Sequence, residues 1–178
     1  LHVEARLIEG DETLGVVIAV FGNGRSSGIA RTLQQPVVDT SEARTFPYLP
    51  GLTPTFTQYF NAEWLRGGFP FSNNPLPEIV ARVGMHDQGM TTEAHVLALA
   101  DFIPPVALSG LSKPAAGSTL TWMIEFLSSE LEGLPLEGWR IDAEMLAARD
   151  GYTSQTVTLW NPAGEAVALS RQSMVVFG

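Results

Sequence analysis

The most informative segment of this sequence is Thr91-Thr-Glu-Ala-His-Val-Leu-Ala-Leu-Ala-Asp101-Phe-Ile-Pro-Pro105. Either threonine at its start can cap a helix, and Glu93 lies in the first turn, where its charge suits the helix dipole. Residues 94–103 are apolar almost all round, which is typical of a helix that is buried. Because the proline pair ends this pattern, the sequence predicts one buried helix over residues 92–103.

Strand-like segments lie on both sides of this helix. Their apolar and β-branched residues, and the alternation of apolar with charged side chains after Trp139, are typical of strands in a half-buried sheet. Asp150-Gly151 and Asn161-Pro-Ala-Gly164 mark tight turns between them. One helix among such strands predicts the α+β class. The predicted strands are Thr55–Arg66, Ile79–Met85, Ser118–Leu127, Trp139–Ala147, Tyr152–Trp160 and Ala166–Val176.

The first 54 residues divide into a β-rich part and a part rich in proline. Strands are predicted over Val3–Ile8 and Leu14–Phe21, with a turn between them at Glu9-Gly10-Asp11. The sequence Gly22-Asn-Gly24 predicts a hairpin, because Asn-Gly readily adopts positive φ, and Ile29–Gln35 is then the return strand. Residues 36–54 contain four prolines, which is typical of a linker.

Composition excludes several classes of protein. The chain has 178 residues, of which 45% are hydrophobic and 16% are charged, so it can form a sizeable core. Its formal net charge of −9 argues against nucleic acid as a partner and against an anionic membrane surface. The chain has no cysteine, which excludes a disulfide framework, a thiolate nucleophile and a cysteine-ligated metal. No apolar run approaches the roughly 18 residues of a membrane span, and without a visible signal peptide we expect a cytoplasmic protein.

A weak internal repeat connects the two ends of the sequence. Glu9-Gly10, a β-rich run, a turn at Gly24 and Ala30-x-x-x-Gln34 recur as Asp150-Gly151, a β-rich run, a turn at Gly164 and Ala168-x-x-x-Gln172. The spacings differ by a few residues. Repetition of a whole supersecondary unit is typical of duplicated domains.

Three motifs resemble the acyl-CoA thioesterase II family, whose members carry two hot-dog repeats in one chain. They are Leu97-Ala-Leu-Ala-Asp101-Phe-Ile-Pro-Pro105, Ser118-Thr-Leu-Thr-Trp-Met-Ile-Glu-Phe126 and Gly164-Glu-Ala-Val-Ala-Leu-Ser-Arg-Gln172. The resemblance implies a hot-dog fold, in which a curved antiparallel sheet wraps around a central buried helix. It also implies a site formed by Asp101, Thr119 and Gln172. The family often has an aspartate where this chain has Thr121.

The same resemblance implies a domain organisation. Residues 1–38 correspond to the later strands of a first hot-dog repeat, residues 39–53 form a linker, and residues 54–178 form a complete second hot-dog domain. Half a hot-dog sheet leaves an open edge and an uncovered face. We therefore expect either residues upstream of Leu1 or another chain to complete the first repeat. Association through sheet edges then predicts a homo-oligomer.

The implied activity is hydrolysis of an acyl-CoA thioester, which needs an activated water and donors for the developing oxyanion, but neither metal nor cofactor. Asp101 is the candidate base, because burial and the negative end of a helix both raise the pKa of a carboxyl group. Thr119 and Gln172 can donate hydrogen bonds that position the water.

Other functions remain open at this stage. A non-catalytic hot-dog protein that binds acyl chains or acts in assembly is the main alternative. Gly24-Arg-Ser26-Ser-Gly28 matches the nucleophile pattern of serine hydrolases, which requires a strand before it and a helix after it, whereas a hairpin turn is predicted there. The three histidines, His2, His86 and His95, lack the spacing of a metal site.

Overall fold

The computed structural model describes all residues from Leu1 to Gly178, which form two compact units, residues 1–31 and residues 32–178. The first unit is a hairpin of strands β1 (His2–Glu9) and β2 (Glu12–Val20). Gly10 makes the turn with a φ of 59°, a backbone conformation that glycine adopts without steric cost. The predicted turn at residues 9–11 is confirmed.

The predicted return strand Ile29–Gln35 is wrong, because residues 21–43 contain neither strand nor helix. Gly22 and Gly24 do not adopt positive φ, so the Asn-Gly sequence does not form the expected hairpin turn. The helix that a serine nucleophile at Ser26 would need after its strand is also missing from this segment.

The second unit contains one helix and one antiparallel sheet of seven strands in the order β3-β4-β5-β7-β8-β9-β6. Helix α1 (Glu93–Ala100) lies between β5 and β6, and short 3-10 helices cover Thr55–Tyr59 and Val106–Gly110. The predicted α+β class is confirmed. The strands are β3 (Arg44–Thr45), β4 (Phe60–Arg66), β5 (Glu78–Met85), β6 (Ala116–Phe126), β7 (Trp139–Arg149), β8 (Tyr152–Trp160) and β9 (Ala166–Phe177).

Two predicted elements are shorter in the structure. The first five residues of the predicted strand Thr55–Arg66 form a 3-10 helix that starts directly after Pro54, whose fixed φ suits such a turn. Helix α1 ends at Ala100 instead of Ile103, because a residue that precedes a proline disfavours helical geometry. Asp101 is therefore the residue that caps the helix, rather than part of its last turn.

The helix packs across β5, β7, β8 and β9. Its buried residues Val96, Leu99 and Ala100 face the sheet, whereas Leu97 and Ala98 are only partly buried. The expectation of a helix buried on every side is wrong, because only one face of this eight-residue helix meets the sheet. The rest of the core comes from alternate strand residues, including Trp64, Ile79, Ala81, Val83, Trp139, Ile141, Ala143, Val157, Leu159, Val167 and Ala168.

The structure contains no helix with the length and hydropathy that crossing a membrane requires. The proposed boundaries of a partial repeat at residues 1–38, a linker at 39–53 and a complete domain at 54–178 stay a prediction.

Candidate active site

Strand β9 places Gln172 on the inner face of the sheet. Side chains alternate along a strand, and Ala168, Ser170, Gln172 and Met174 are all buried on this face. The first two are small, so the helix can approach the strand closely at this point. Gln172 is the first long polar side chain on the face, and it reaches the end of α1.

Asp101 reaches Gln172 from the end of α1, where it is the C-cap residue. Its backbone N–H donates to the Leu97 carbonyl oxygen at 3.1 Å, which fixes the direction in which the chain leaves the helix. Although the residue as a whole is exposed, partial burial of its carboxyl group raises the pKa of Asp101 above its ordinary value. A hydrogen bond from Gln172 lowers this pKa by a smaller amount.

A bulge in β6 places Thr119. The pairing of β6 with β9 shifts between Thr119 and Thr121, so that β6 has one extra residue at Leu120. Thr119 is paired with Met174, which is buried on the inner face, and therefore shares that face with Gln172. Without the bulge, the same strand would present its residues to β9 in another register.

The structure brings the three side chains together. The Gln172 amide nitrogen Nε2 donates to Thr119 Oγ1 at 2.8 Å and to Asp101 Oδ1 at 3.4 Å. The second of these is long, so the link to the carboxylate is the weaker of the two. Asp101 Oδ2 accepts no hydrogen bond from the protein, and the Thr119 hydroxyl keeps its own hydrogen for a further acceptor.

A fourth polar residue, Gln155 of β8, lies behind these three and is fully buried. Its Oε1 accepts from the Val106 backbone N–H at 2.8 Å, and its Nε2 donates to Gln172 Oε1 at 3.4 Å. Gln155 lies outside the three motifs that identified the other site residues. A signal was present, because Gln155 is the long polar side chain in the otherwise small or apolar inward-facing row of β8.

The three predicted residues line a cavity of about 760 Å³, which is within the usual size range of ligand pockets. Its walls are mainly aromatic, aliphatic and proline side chains, and Asp101 is the only titratable residue among them. The aromatic side chains after Thr55 differ in burial, since Trp64 is buried and Phe56 is exposed, and both line the cavity. Further wall residues are Phe46, Leu49, Leu52, Phe69, Phe71, Phe102, Ile103, Leu108 and Met174.

The other candidate residues lie elsewhere. His95 Nε2 contacts Asp87 Oδ2 at 3.1 Å near the start of α1, at the opposite end of the helix from Asp101. His86 contacts the Gln58 carbonyl oxygen through Nδ1. No group of three or more histidine, aspartate or glutamate side chains is arranged to hold a metal ion. Ser26 is in the irregular segment after β2.

The model of the acyl-CoA thioesterase C-terminal domain family matches residues 34–176. A conserved protein of unknown function with a hot-dog fold from Alicyclobacillus acidocaldarius is 18% identical, with a TM-score of 0.83 over 99% of this chain and 67% of that one. A protein from Thermobifida fusca, provisionally described as a thioesterase II, is 17% identical, with a TM-score of 0.71 over 99% of this chain and 67% of its own.

A third structure, from Streptococcus mutans UA159 with bound acetyl-CoA, is 18% identical, with a TM-score of 0.51 over 74% of this chain and 98% of that chain. No curated protein matches the chain. Identities this low carry the fold alone, and the predicted hot-dog fold is confirmed. This chain spans about two thirds of the length of the first two structures.

Proposed function

The chain belongs to the acyl-CoA thioesterase C-terminal domain family, as its motifs predicted, and we propose that it hydrolyses an acyl-CoA thioester to a free acid and CoA. The observation that carries the proposal is the meeting of Asp101, Thr119 and Gln172 at the wall of an apolar cavity. A carboxylate beside two hydrogen-bond donors is what water activation at a thioester requires.

In the proposed reaction, Asp101 is the general base. It removes a proton from a water molecule as the water oxygen bonds to the thioester carbon, and the carbonyl oxygen becomes an oxyanion. The raised pKa of Asp101 strengthens it as a base. Collapse of the tetrahedral intermediate breaks the carbon–sulfur bond, and the proton held by Asp101 passes to the departing thiolate.

Thr119 positions the water and the charge that develops, and Gln172 acts through Thr119, because both of its N–H groups already donate to Thr119 and Asp101. Gln172 donates to Thr119, so the hydroxyl hydrogen of Thr119 remains available to a water or to the oxyanion. The second N–H of Gln172 points toward Asp101 and keeps the carboxylate in place. These donors are attached to β6 and β9, so the sheet holds them in fixed positions before substrate binds.

The cavity supports a fatty acyl group as the part of the substrate that is recognised. Its volume of about 760 Å³ and its apolar walls suit a hydrocarbon chain, while the polar residues lie where the thioester would react. The related structure from S. mutans contains acetyl-CoA, which supports CoA as the carrier.

Release of free thiol from acyl-CoA, measured with chelator present, tests the proposal across short, medium and long acyl chains. We expect hydrolysis by the unaltered chain and by Ser26→Ala, and a loss of about a hundredfold for Asp101→Asn, as removal of a general base typically causes. If acyl-CoA binds without any thiol release, the chain is the non-catalytic acyl-binding protein considered above.

We further propose that the chain associates through the edge of its sheet. Strand β6 pairs only with β9, so its outer edge has unpaired backbone groups. Along it, Leu120, Trp122, Met123 and Phe126 are exposed. Pairing with β6 of a second copy would satisfy these backbone groups and cover these side chains. Light scattering at micromolar concentration should show a dimer or larger, and a monodisperse monomer would contradict this.

A further inference from the structure

Gln155 is a buried glutamine of β8 that faces Gln172 across the β8–β9 pair. A side-chain amide can be placed in either of two orientations, and its partners decide which one is correct. Here one partner is the Val106 backbone N–H, at 2.8 Å. A backbone N–H can only donate, so the oxygen of Gln155 must face Val106 and its NH2 group must face the opposite way.

The orientation of the Gln155 amide determines the orientation of the Gln172 amide through the hydrogen bond between them. The NH2 group of Gln155 needs an acceptor, and Gln172 Oε1 lies 3.4 Å from it. Gln172 then has its own NH2 group on the far side, toward Thr119 and Asp101. The direction of every hydrogen bond between Val106 and the two residues at the cavity therefore follows from one backbone group.

The opposite orientation of Gln172 would disable the arrangement. Its carbonyl oxygen would then face the carboxylate of Asp101, so two acceptors would oppose each other with no hydrogen between them. Thr119 would have to donate its hydroxyl hydrogen to Gln172 and would lose it for a water or an oxyanion. The energetic difference is enlarged because Gln155 and Gln172 are buried, where water cannot compensate.

Gln155 also holds the backbone that follows the helix. Val106 begins the 3-10 helix directly after Pro104-Pro105, five residues beyond Asp101. One side chain thus connects the segment downstream of Asp101 with the amide of Gln172.

We propose that Gln155 is a positioning residue, which fixes the orientation of the Gln172 amide so that its donors face Asp101 and Thr119. The effect of Gln155 on catalysis rests on the proposed function. The orientation of the Gln172 amide does not, because it can be measured without any reaction.

Gln155→Glu tests the proposal, because it should produce a pH dependence that a residue with only a packing role would not produce. In its protonated form the introduced carboxyl can still accept from Val106 and donate to Gln172 Oε1, as Gln155 does. Once ionised it only accepts, so the Gln172 amide must turn to donate to it. Burial raises the pKa of the introduced carboxyl, and Asp101 is the only titratable side chain that lines the adjoining cavity.

The expected result is a change in the shape of the pH profile. With the unaltered chain, kcat rises with pH as Asp101 ionises and then stays level. With Gln155→Glu, kcat should rise and then fall again by about tenfold or more as the introduced carboxyl ionises. Rates are compared only where circular dichroism shows the variant folded. A level profile like that of the unaltered chain overturns the proposal.

A matched pair of variants separates positioning from packing. Gln155→Met keeps the length of the side chain and removes both hydrogen bonds, and kcat should fall about ten- to a hundredfold with KM little changed. Thr153→Val is the control, since Thr153 is buried two residues earlier on the same face and its hydroxyl has no hydrogen-bond partner. It should leave kcat unchanged. Equal effects of the two variants, or a normal kcat for Gln155→Met, contradict the proposal.

Hydrogen exchange of the Gln172 side-chain amide, followed by NMR, gives the answer independently of activity. Protection should be lost in Gln155→Met and kept in Thr153→Val. If the unaltered chain releases no thiol, the proposed function fails, and this exchange measurement still decides whether Gln155 orients Gln172. If thiol is released and the protection of Gln172 is the same in both variants, only the inference about Gln155 fails.

Discussion

The two ends of helix α1 each have an aspartate that accepts a hydrogen bond from a side chain, and the two aspartates respond in opposite ways. Near the start of the helix, Asp87 is exposed, and its contact with His95 together with the Gln88 backbone N–H lowers its pKa. At the end of the helix, Asp101 accepts from Gln172, yet burial beside the cavity outweighs that bond and raises its pKa.

A hydrogen bond alone therefore does not make a carboxylate a base. Asp87 is held in its charged form by donors and by water, so it has little tendency to take a proton near neutral pH. Asp101 is partly desolvated by an apolar wall and has a weaker, longer bond of 3.4 Å to its donor. Pairs of like groups whose pKa values move apart commonly separate structural from catalytic roles.

Replacing each aspartate by asparagine tests this contrast directly. Asp101→Asn should lower the rate of thiol release about a hundredfold, because the amide cannot take a proton from water. Asp87→Asn is the matched control at the other end of the helix, and its rate should stay within about twofold of the unaltered chain. Comparable losses in the two variants would mean that the pKa contrast has no bearing on catalysis.

A smaller effect is expected from the partners of Asp101. Thr119→Val removes the hydroxyl that Gln172 holds and should lower kcat about tenfold or more, as loss of an oxyanion donor does. Thr121→Val lies two residues along the same strand beyond the bulge, is exposed, and should have no effect on kcat. Should Thr121→Val prove the more damaging, the bulge at Leu120 would not be what places the site.

The sequence was sufficient to predict most strands of the sheet. Strand β8 has the predicted bounds, and β5, β7 and β9 differ from prediction by at most two residues at an end. Their apolar alternation and the turn at Asp150-Gly151 are local signals, and tertiary packing agrees with them. The hairpin predicted at Gly22-Asn-Gly24 does not form. A turn sequence alone is not enough, because the residues after the turn must also form a strand, and here they do not.

Of the candidate site, the identities of Asp101, Thr119 and Gln172 came from the resemblance of three motifs, and their catalytic roles stay a prediction. Their meeting depends on features that no local pattern shows. The bulge at Leu120 arises from the pairing of β6 with β9. The direction of the amide of Gln172 depends on Gln155, a contact between side chains of different strands. Such contacts are set by tertiary packing.

The start of the helix should matter for stability and not for catalysis. The Thr92 backbone N–H donates to His95 Nδ1 at 3.1 Å, and the Thr92 hydroxyl lies 2.9 Å from the same nitrogen. Thr92→Ala removes the N-cap side chain and should lower the free energy of unfolding by about 1 kcal/mol, measured in urea. Thiol release should be unchanged, since Asp101 lies at the other end. A rate that falls in parallel with stability would link the two ends.

The smallest effect is on the pH dependence of stability, to which the two aspartates should contribute with opposite signs. Since the folded pKa of Asp87 is lowered, its contribution to stability is present above the unfolded value, about 3.9, and is lost as the pH falls through the folded pKa. The folded pKa of Asp101 is raised, so its contribution is complete below the unfolded value and is lost as the pH rises.

Urea midpoints measured from about pH 3 to pH 7 should therefore separate the two variants. Relative to the unaltered chain, Asp101→Asn should gain stability as the pH rises, because the amide avoids the cost of ionising a partly buried carboxyl group. Asp87→Asn should lose stability over the same range, because it cannot gain the interaction with His95. If both differences have the same sign, the carboxyl group of Asp101 is not desolvated in solution, and its proposed advantage as a base disappears with it.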